Sequence, residues 1–136
     1  MNNWIGWVGG AAILGFSACA TSEMPDAPEG AMLFAQNCAA CHGAAGRGDG
    51  EMAAGMAPRP ADLTGIKARN KGRFPSARVL SKIDGYARDK TAPDGMPEFG
   101  LLLEGDTVPL DVGDGKLTPT PRPLAALLTY LEAIQR

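Results

Sequence analysis

The sequence predicts one small all-α domain whose helices are joined by long loops. Three segments, around residues 26–42, 76–88 and 121–134, carry apolar residues at three- and four-residue intervals, the spacing of one helix face. Eighteen glycines and eleven prolines among 136 residues leave little continuous helix or strand elsewhere. With 13 basic and 15 acidic residues the charge is nearly balanced, and nothing indicates a nucleic-acid partner.

Cys38, Cys41 and His42 form the pattern C-x-x-C-H, and His42 is the only histidine of the chain. This pattern is the attachment signature of a c-type haem, in which both thiols become thioethers and the imidazole takes one axial position on the iron. Residues three apart lie on one face of a helix, so both thiols reach the same edge of the macrocycle. We therefore expect one covalent haem c, whose flat apolar body would enlarge a small core.

Other interpretations of the cysteine pair are a thioredoxin-like redox site, half of a zinc site, or chance. A redox pair is expected near a βαβ pattern, which the sequence lacks. A structural zinc site needs a second pair of ligands, and no further histidine or cysteine pair exists. Both alternatives are therefore disfavoured.

Residues 4–20 are apolar, rich in small residues and free of charge, which fits the core of a secretion signal better than a membrane span. Residues 16–19 (Phe-Ser-Ala-Cys) resemble a lipoprotein box that leaves Cys19 lipidated, whereas residues 18–20 also permit ordinary cleavage after Ala20. We favour lipidation because it gives the third cysteine a role. The expected organisation is a signal (1–20), a flexible tether (21–27) and the haem domain (28–136).

The first helix should begin near Pro28, because proline is tolerated in a first turn and acidic neighbours suit the positive helix end. It should end at Gly43, where a glycine-rich loop (43–50) begins. The loop lacks the context of a phosphate cradle, so we expect it to lie against the haem edge. Residues 61–67, after two prolines, should form a short helical turn.

A second helix is expected over residues 76–88, with Ser76 as N-cap and an apolar stripe of Val79, Leu80, Ile83 and Tyr86. Residues 91–97 follow as an irregular loop.

The Asp114-Gly115 turn predicts a small β-hairpin over residues 107–118, with Pro109 restricted to an edge. The last helix, capped by residues 120–121, then carries an apolar stripe of Leu124, Leu127, Leu128, Leu131 and Ile134.

At this point the chain resembles the class I cytochrome c family. The resemblance rests on Gly30, Phe34, the haem motif, Met96-Pro97 in a late loop and Tyr130-Leu131 in the last helix. It covers about residues 28–136 and implies helices packed around one haem, with the first and last helices crossing near Gly30 and Tyr130. It also implies export, since haem attachment at C-x-x-C-H takes place outside the bacterial cytoplasm. Residues 98–119 are longer than the usual link between the methionine and the last helix.

The sixth iron ligand can be argued by elimination. With one histidine, a bis-His haem is impossible within the monomer, and thioether sulfur is a known partner of histidine. Met96 lies far enough along the chain to reach the opposite face of the haem, and Met56 is the runner-up. Four others are disfavoured because they lie near the N-terminus, on the helix of the haem cysteines or directly after His42: Met1, Met24, Met32 and Met52.

The resemblance also implies that the second N–H of His42 donates to a proline carbonyl within residues 58–60. The haem propionates need partners, for which five residues are available: Arg69, Lys71, Arg73, Arg78 and Tyr86.

These features predict a single-haem electron carrier without catalytic residues, on the periplasmic side and either anchored through Cys19 or soluble. Its partners would be larger redox proteins that dock transiently at the haem edge. Two alternatives stay open: a cytochrome subunit of a redox enzyme, and a haem sensor in which Met96 dissociates. Peroxide chemistry is disfavoured because the only histidine is used as a ligand.

Overall fold

A computed structural model describes residues 23–86 and 95–136, and within them the structure is mostly helical. The helices are α1 (Ala27–Asn37), α2 (Ala39–His42), α3 (Ile66–Arg69), α4 (Ser76–Asp84) and α5 (Arg122–Ala133). A two-stranded antiparallel sheet, β1 (Thr107–Asp111) and β2 (Leu117–Pro121), precedes α5. The expected helical domain with a small hairpin before the last helix is confirmed.

Some predicted segments lie outside the described residues. They are the signal with Cys19, residues 21–22 of the tether, residues 87–88 of the second helix and residues 91–94 of the following loop. None of the helices in the two described ranges is long and apolar enough to cross a membrane.

The first helix begins as predicted, but it does not run unbroken to Gly43. Asp26 caps α1 by accepting a hydrogen bond from the Glu29 N–H (2.9 Å), and Pro28 lies in the first turn. Cys38 (φ −122°, ψ −33°) then separates α1 from α2. Hydrogen bonds from the Cys38 N–H to the Phe34 carbonyl (2.9 Å) and from the His42 N–H to the Cys38 carbonyl (2.8 Å) continue the helical pattern across this interruption.

α1 and α5 cross at Gly30, as the family resemblance implies. Gly30 lies directly against the backbone of Ala126, and a Cβ atom built on Gly30 would be 2.7 Å from the Cβ of Tyr130. The rings of Phe34 and Tyr130 pack nearby, with centroids 5.1 Å apart. The missing side chain of Gly30 therefore permits the close approach of the two helices.

Arg122 joins the same two helices at another point. Its Nε and Nη2 atoms lie 3.0 Å and 2.8 Å from the two carboxylate oxygens of Glu29. These hydrogen bonds to Glu29 raise the pKa of Arg122. Such bidentate geometry fixes the relative position of the two side chains as well as pairing their charges.

The core is a cluster of apolar side chains from α1, α4, α5 and the 3₁₀ turn Leu101–Leu103. Its buried members are Phe34, Leu80, Ile83, Leu103, Leu124, Leu127, Leu128 and Leu131. The predicted stripe of the last helix is thus confirmed for its four leucines, while Ile134 is half-buried just after the helix.

The second predicted helix differs from α4 at both ends. Pro75 occupies the N-cap position, so Ser76 is the first helical residue and makes no capping hydrogen bond. The helix ends at Asp84, because Gly85 adopts φ +96° and turns the chain. Tyr86 is therefore 90% exposed and not part of the apolar stripe.

The hairpin register places three prolines where no hydrogen bond is needed. Pro109 pairs with Pro119, and Thr107 pairs with Pro121. Proline has no N–H, so these pairs take the non-hydrogen-bonded positions of the antiparallel ladder. The alternate residues face inward, and Val108 and Thr120 are buried.

The hairpin turn is held by one carboxylate. Asp111 accepts hydrogen bonds from the N–H groups of Gly113 (2.8 Å), Asp114 (3.2 Å) and Gly115 (3.1 Å). Gly113 and Gly115 both adopt positive φ, which glycine tolerates without strain. The hydrogen bonds from Gly113 and Gly115 lower the pKa of Asp111.

Candidate haem-binding site

A cavity of about 540 Å³ lies among the helices. Its walls come from α1, α2, residues 56–66, α4, residues 95–99 and α5, and most of the lining side chains are apolar. Phe34, Leu63, Val79, Phe99 and Leu127 are examples. Both its size and its apolar walls are typical of cofactor sites.

Cys38, Cys41 and His42 all line this cavity. The Cys38 carbonyl accepts hydrogen bonds from the N–H groups of Cys41 (3.2 Å) and His42 (2.8 Å), so the motif folds as one helical turn. Both cysteines are half-buried free thiols. The structure therefore brings together the three residues that the motif predicts for haem attachment.

The Cys38 thiol is poorly suited to redox catalysis. Burial, together with the neighbouring Cys41, raises the pKa of the Cys38 thiol to about 11. A nucleophilic cysteine of a C-x-x-C redox site has a lowered pKa instead, because the thiolate is the reactive form. This environment argues against the thioredoxin-like interpretation.

The imidazole of His42 is held by a backbone carbonyl. Its Nδ1 atom lies 3.0 Å from the carbonyl oxygen of Ala61. A carbonyl can only accept a hydrogen bond, so Nδ1 is the donor in this contact and Nε2 is the ring nitrogen left to bind a metal.

The expectation of a proline acceptor within residues 58–60 is wrong by one residue. The carbonyl oxygen of Pro60 packs against Gly48, whereas the next carbonyl, that of Ala61, meets the imidazole. Sequence alone gives the segment but not which of its carbonyls points inward.

The glycine-rich loop lies behind the motif rather than against the cavity. Gly48 donates its N–H to the His42 carbonyl (2.8 Å), and Gly50 donates to the Cys41 carbonyl (3.2 Å). None of residues 43–50 is among the cavity-lining residues of the described chain. The expected contact with the haem edge is therefore wrong, and the loop supports the backbone of α2 instead.

Two methionines, Met56 and Met96, line the cavity. Met56 approaches Gly95: a Cβ atom built on Gly95 would lie 3.4 Å from the Met56 Cε. Met32 and Met52 are exposed at 63% and 57%. Among the described methionines, the candidates for the sixth iron ligand are therefore Met96 and Met56, which the sequence ranks first and second.

The segment that carries Met96 is attached to the end of α4. Phe99 donates its N–H to the Ile83 carbonyl (3.0 Å), and Gly100 donates to the Asp84 carbonyl (3.2 Å). Met96 also packs against the apolar core.

No acidic residue is among the described residues that line the cavity. Four cationic residues line it: Arg59, Arg69, Arg78 and Lys82. Of the five expected propionate partners, Arg69 and Arg78 are in this position. Lys71, Arg73 and Tyr86 do not line the cavity.

Sequence reasoning missed Arg59 and Lys82. Lys82 could have been found, because it lies four residues after Arg78 and so shares its helix face. Arg59 carries no such signal beyond its place between two prolines.

The donor set fits a haem. Within residues 23–86 and 95–136, no group of three or more His, Cys, Asp or Glu side chains could hold a metal ion by itself. Two thiols, one oriented imidazole and thioether sulfur instead share an apolar cavity with cationic side chains, and these are the groups that attach, ligate and neutralise a haem.

The sequence pattern of the cytochrome c family matches residues 27–108, more than half of the chain. The chain belongs to the cytochrome c family. No curated protein and no solved structure matches it. Membership implies covalently bound haem c and the role of a haem-binding electron carrier, since cytochromes c are typically electron carriers rather than enzymes. The matched range of this cytochrome includes the haem motif and Met96, while β2 and α5 lie beyond it.

Proposed function

We propose that this cytochrome is a class I, single-haem electron carrier whose iron is ligated by His42 and Met96. The observation that carries the proposal is the convergence of Cys38, Cys41, His42 and Met96 on one cavity. A single C-x-x-C-H motif and a single histidine support one haem. The bound group supplies reversible one-electron chemistry, with a potential raised by axial methionine.

The other contributions to this role come from residues of the chain that hold the haem and its ligand. Cys38 and Cys41 fix the macrocycle, and the hydrogen bond from His42 to Ala61 fixes the imidazole. The apolar walls exclude water from the iron, while Arg69 and Arg78 offset the charge of the propionates. No step in this role needs a general acid or base.

Met96 is favoured over Met56 by its place in the chain. Met56 lies five residues before Ala61, so it is on the same segment that supports His42, although its Cε also approaches Gly95. Met96 comes from a separate segment that is attached to α4 and packed on the core. Met96 is therefore the residue that would supply the thioether sulfur to the iron.

Met96→Ala is expected to leave the haem attached, convert the ferric iron to a high-spin or five-coordinate form and lower the reduction potential, because the axial thioether is lost. Absorption spectroscopy of the ferric protein checks this through the weak far-red band typical of methionine ligation. Met56→Ala is the matched control and should keep the band.

The opposite pattern, loss of the band in Met56→Ala alone, would show that the ligand is Met56. High-spin ferric iron in the unaltered protein would favour the haem sensor or the redox-enzyme subunit over the carrier.

We further propose that its partners are larger redox proteins with an acidic docking face. The support is the charge of the cavity lining, which includes Arg59, Arg69 and Arg78 and no acidic residue among the described residues, although the whole chain carries a net charge of −2. Complementary charge speeds the encounter of two proteins more than it tightens the complex, which suits a rapid exchange of electrons.

The site of action proposed is the periplasmic side of a membrane. The apolar segment 4–20, the box at residues 16–19 and the following tether support export and lipidation of Cys19. Several acyl chains on one residue anchor a protein stably, whereas one chain binds only marginally.

Mass spectrometry of the native protein is expected to find an N-terminal Cys19 that carries acyl chains. A free N-terminus at Thr21 would instead make this a soluble periplasmic cytochrome. An intact Met1 would contradict processing and make residues 4–20 a membrane anchor.

A further inference from the structure

Gln135 and Arg136, which follow α5, bind the segment that comes directly after Ala61. The Arg136 N–H donates to the Thr64 carbonyl (3.0 Å), and its Nε donates to Thr64 Oγ1 (2.9 Å). Gln135 donates from Nε2 to the Leu63 carbonyl (2.8 Å) and accepts from the Lys67 N–H (2.8 Å). Residues that are 68 to 72 positions apart in the chain are thus joined at this point.

Thr64 is the centre of this contact. It is a polar residue with only 4% exposure. Its hydroxyl donates to Asp62 Oδ1 (2.6 Å) and accepts from Nε and Nη2 of Arg136 (2.9 Å and 2.6 Å), so its hydrogen-bonding capacity is used. Asp62 Oδ1 also accepts from the Thr64 N–H (2.8 Å), and these bonds from Thr64 lower the pKa of Asp62.

Arg136 also reaches the Asp62 carboxylate, with Nη2 3.3 Å from Oδ2. Asp62 adjoins Ala61, whose carbonyl orients His42. On the other side of Ala61, Pro60 packs against Gly48. The Ala61 carbonyl is therefore held between two anchors, one of which depends on Arg136.

We propose that Arg136 is a positioning residue for the haem iron, acting through Asp62, Thr64 and the Ala61 carbonyl to hold the His42 imidazole and lower the reduction potential. This rests on the proposed function, in which His42 ligates the iron. A hydrogen bond donated from Nδ1–H makes the imidazole a stronger base and favours ferric iron. Loss of the anchor should weaken that bond and raise the potential.

The sign of the change separates positioning from charge. Removing a positive charge near the iron favours the ferric state by electrostatics alone and would lower the potential. Weakening the His42 hydrogen bond raises it. A higher potential in a variant that has lost a cation is therefore not explained by charge.

The experiment uses the full-length holoprotein and compares Arg136→Ala with Arg136→Lys. Two quantities are measured: the reduction potential, and the hydrogen-exchange rate of the His42 Nδ1–H by ¹⁵N NMR of the ferrous protein. Lys116→Ala, which removes one cation from the remote hairpin turn, is the matched control. In Arg136→Ala we expect a higher potential and exchange about three- to tenfold faster, as for the loss of one hydrogen bond. Arg136→Lys should fall closer to the wild type, and Lys116→Ala should equal it.

A potential at or below that of the wild type, with unchanged exchange, overturns the proposal. If Arg136→Ala does not fold, Gln135→Ala is measured instead. It must then raise the reduction potential and speed the exchange of the His42 Nδ1–H. Absence of a haem-shifted His42 imidazole resonance in the wild type would overturn the proposed ligation itself, and is recognised before any variant is made.

Discussion

The double variant Cys38→Ala, Cys41→Ala is expected to carry no covalent haem and to lose cooperative unfolding. Both thiols line the cavity that the core residues of α1, α4 and α5 surround. Without thioether bonds the cofactor is not retained, and the apolar walls then face water. Haem staining of the denatured protein measures attachment, and thermal unfolding followed by far-UV circular dichroism measures the fold.

The size of the cavity explains why the effect should be large. Without haem, the apolar side chains that line about 540 Å³ lose their packing partner and are exposed to water. The whole unfolding free energy of a domain is only about 5–15 kcal/mol, so the loss of this burial is large by comparison. A chain with so small a core has little other apolar burial to offset the loss.

Cys19→Ala is the matched control, because it removes the third cysteine, which lies outside the C-x-x-C-H motif. It should keep covalent haem. A compact, cooperatively folded double variant would contradict the prediction and show that the haem is not structural in this cytochrome.

Apolar spacing predicted the elements whose folding depends on local sequence. The four leucines of α5 are buried as their spacing requires, and the hairpin forms around the Asp114-Gly115 turn. The start of α1 followed from Pro28 and its acidic neighbours. In each of these cases the residues that decide the structure lie within a few positions of one another.

Features that depend on distant contacts were not accessible in this way. The helix is interrupted at Cys38 although neither proline nor glycine occurs there. The choice of Ala61 over Pro60 as the partner of His42 depends on Gly48, and the anchoring of residues 62–64 depends on Arg136. These positions are set by packing between segments, which a single sequence does not display.

The methionine elimination shows both the strength and the limit of sequence reasoning. Distance along the chain ranked Met96 first and Met56 second, and these two methionines line the cavity. The ranking did not foresee that residues 56–61 run along the cavity wall. Deciding between them requires the spectroscopic comparison above.

Gly30→Ala is expected to destabilise the protein by about 3 kcal/mol, the upper part of the range for overpacking. The added Cβ would meet the backbone carbonyl of Ala126 and lie 2.7 Å from the Tyr130 Cβ. A backbone carbonyl inside α5 cannot move aside alone, so α1 and α5 must separate and the packing of Phe34 on Tyr130 is disturbed as well. The better helix propensity of alanine offsets only about 1 kcal/mol of this cost.

Guanidinium unfolding of the ferric holoprotein measures the change, and Gly55→Ala is its matched control. Gly55 lies in a 3₁₀ turn, and a Cβ atom built there has no neighbour within 4 Å. The same glycine-to-alanine change should therefore be neutral or stabilise by about 0.4–1 kcal/mol, through the lower entropy of the unfolded chain. Equal effects at the two sites would show that α1 and α5 do not cross closely at Gly30. A loss of unfolding free energy in Gly30→Ala alone would mean that the close crossing of the helices, rather than the replacement of a glycine as such, determines the stability.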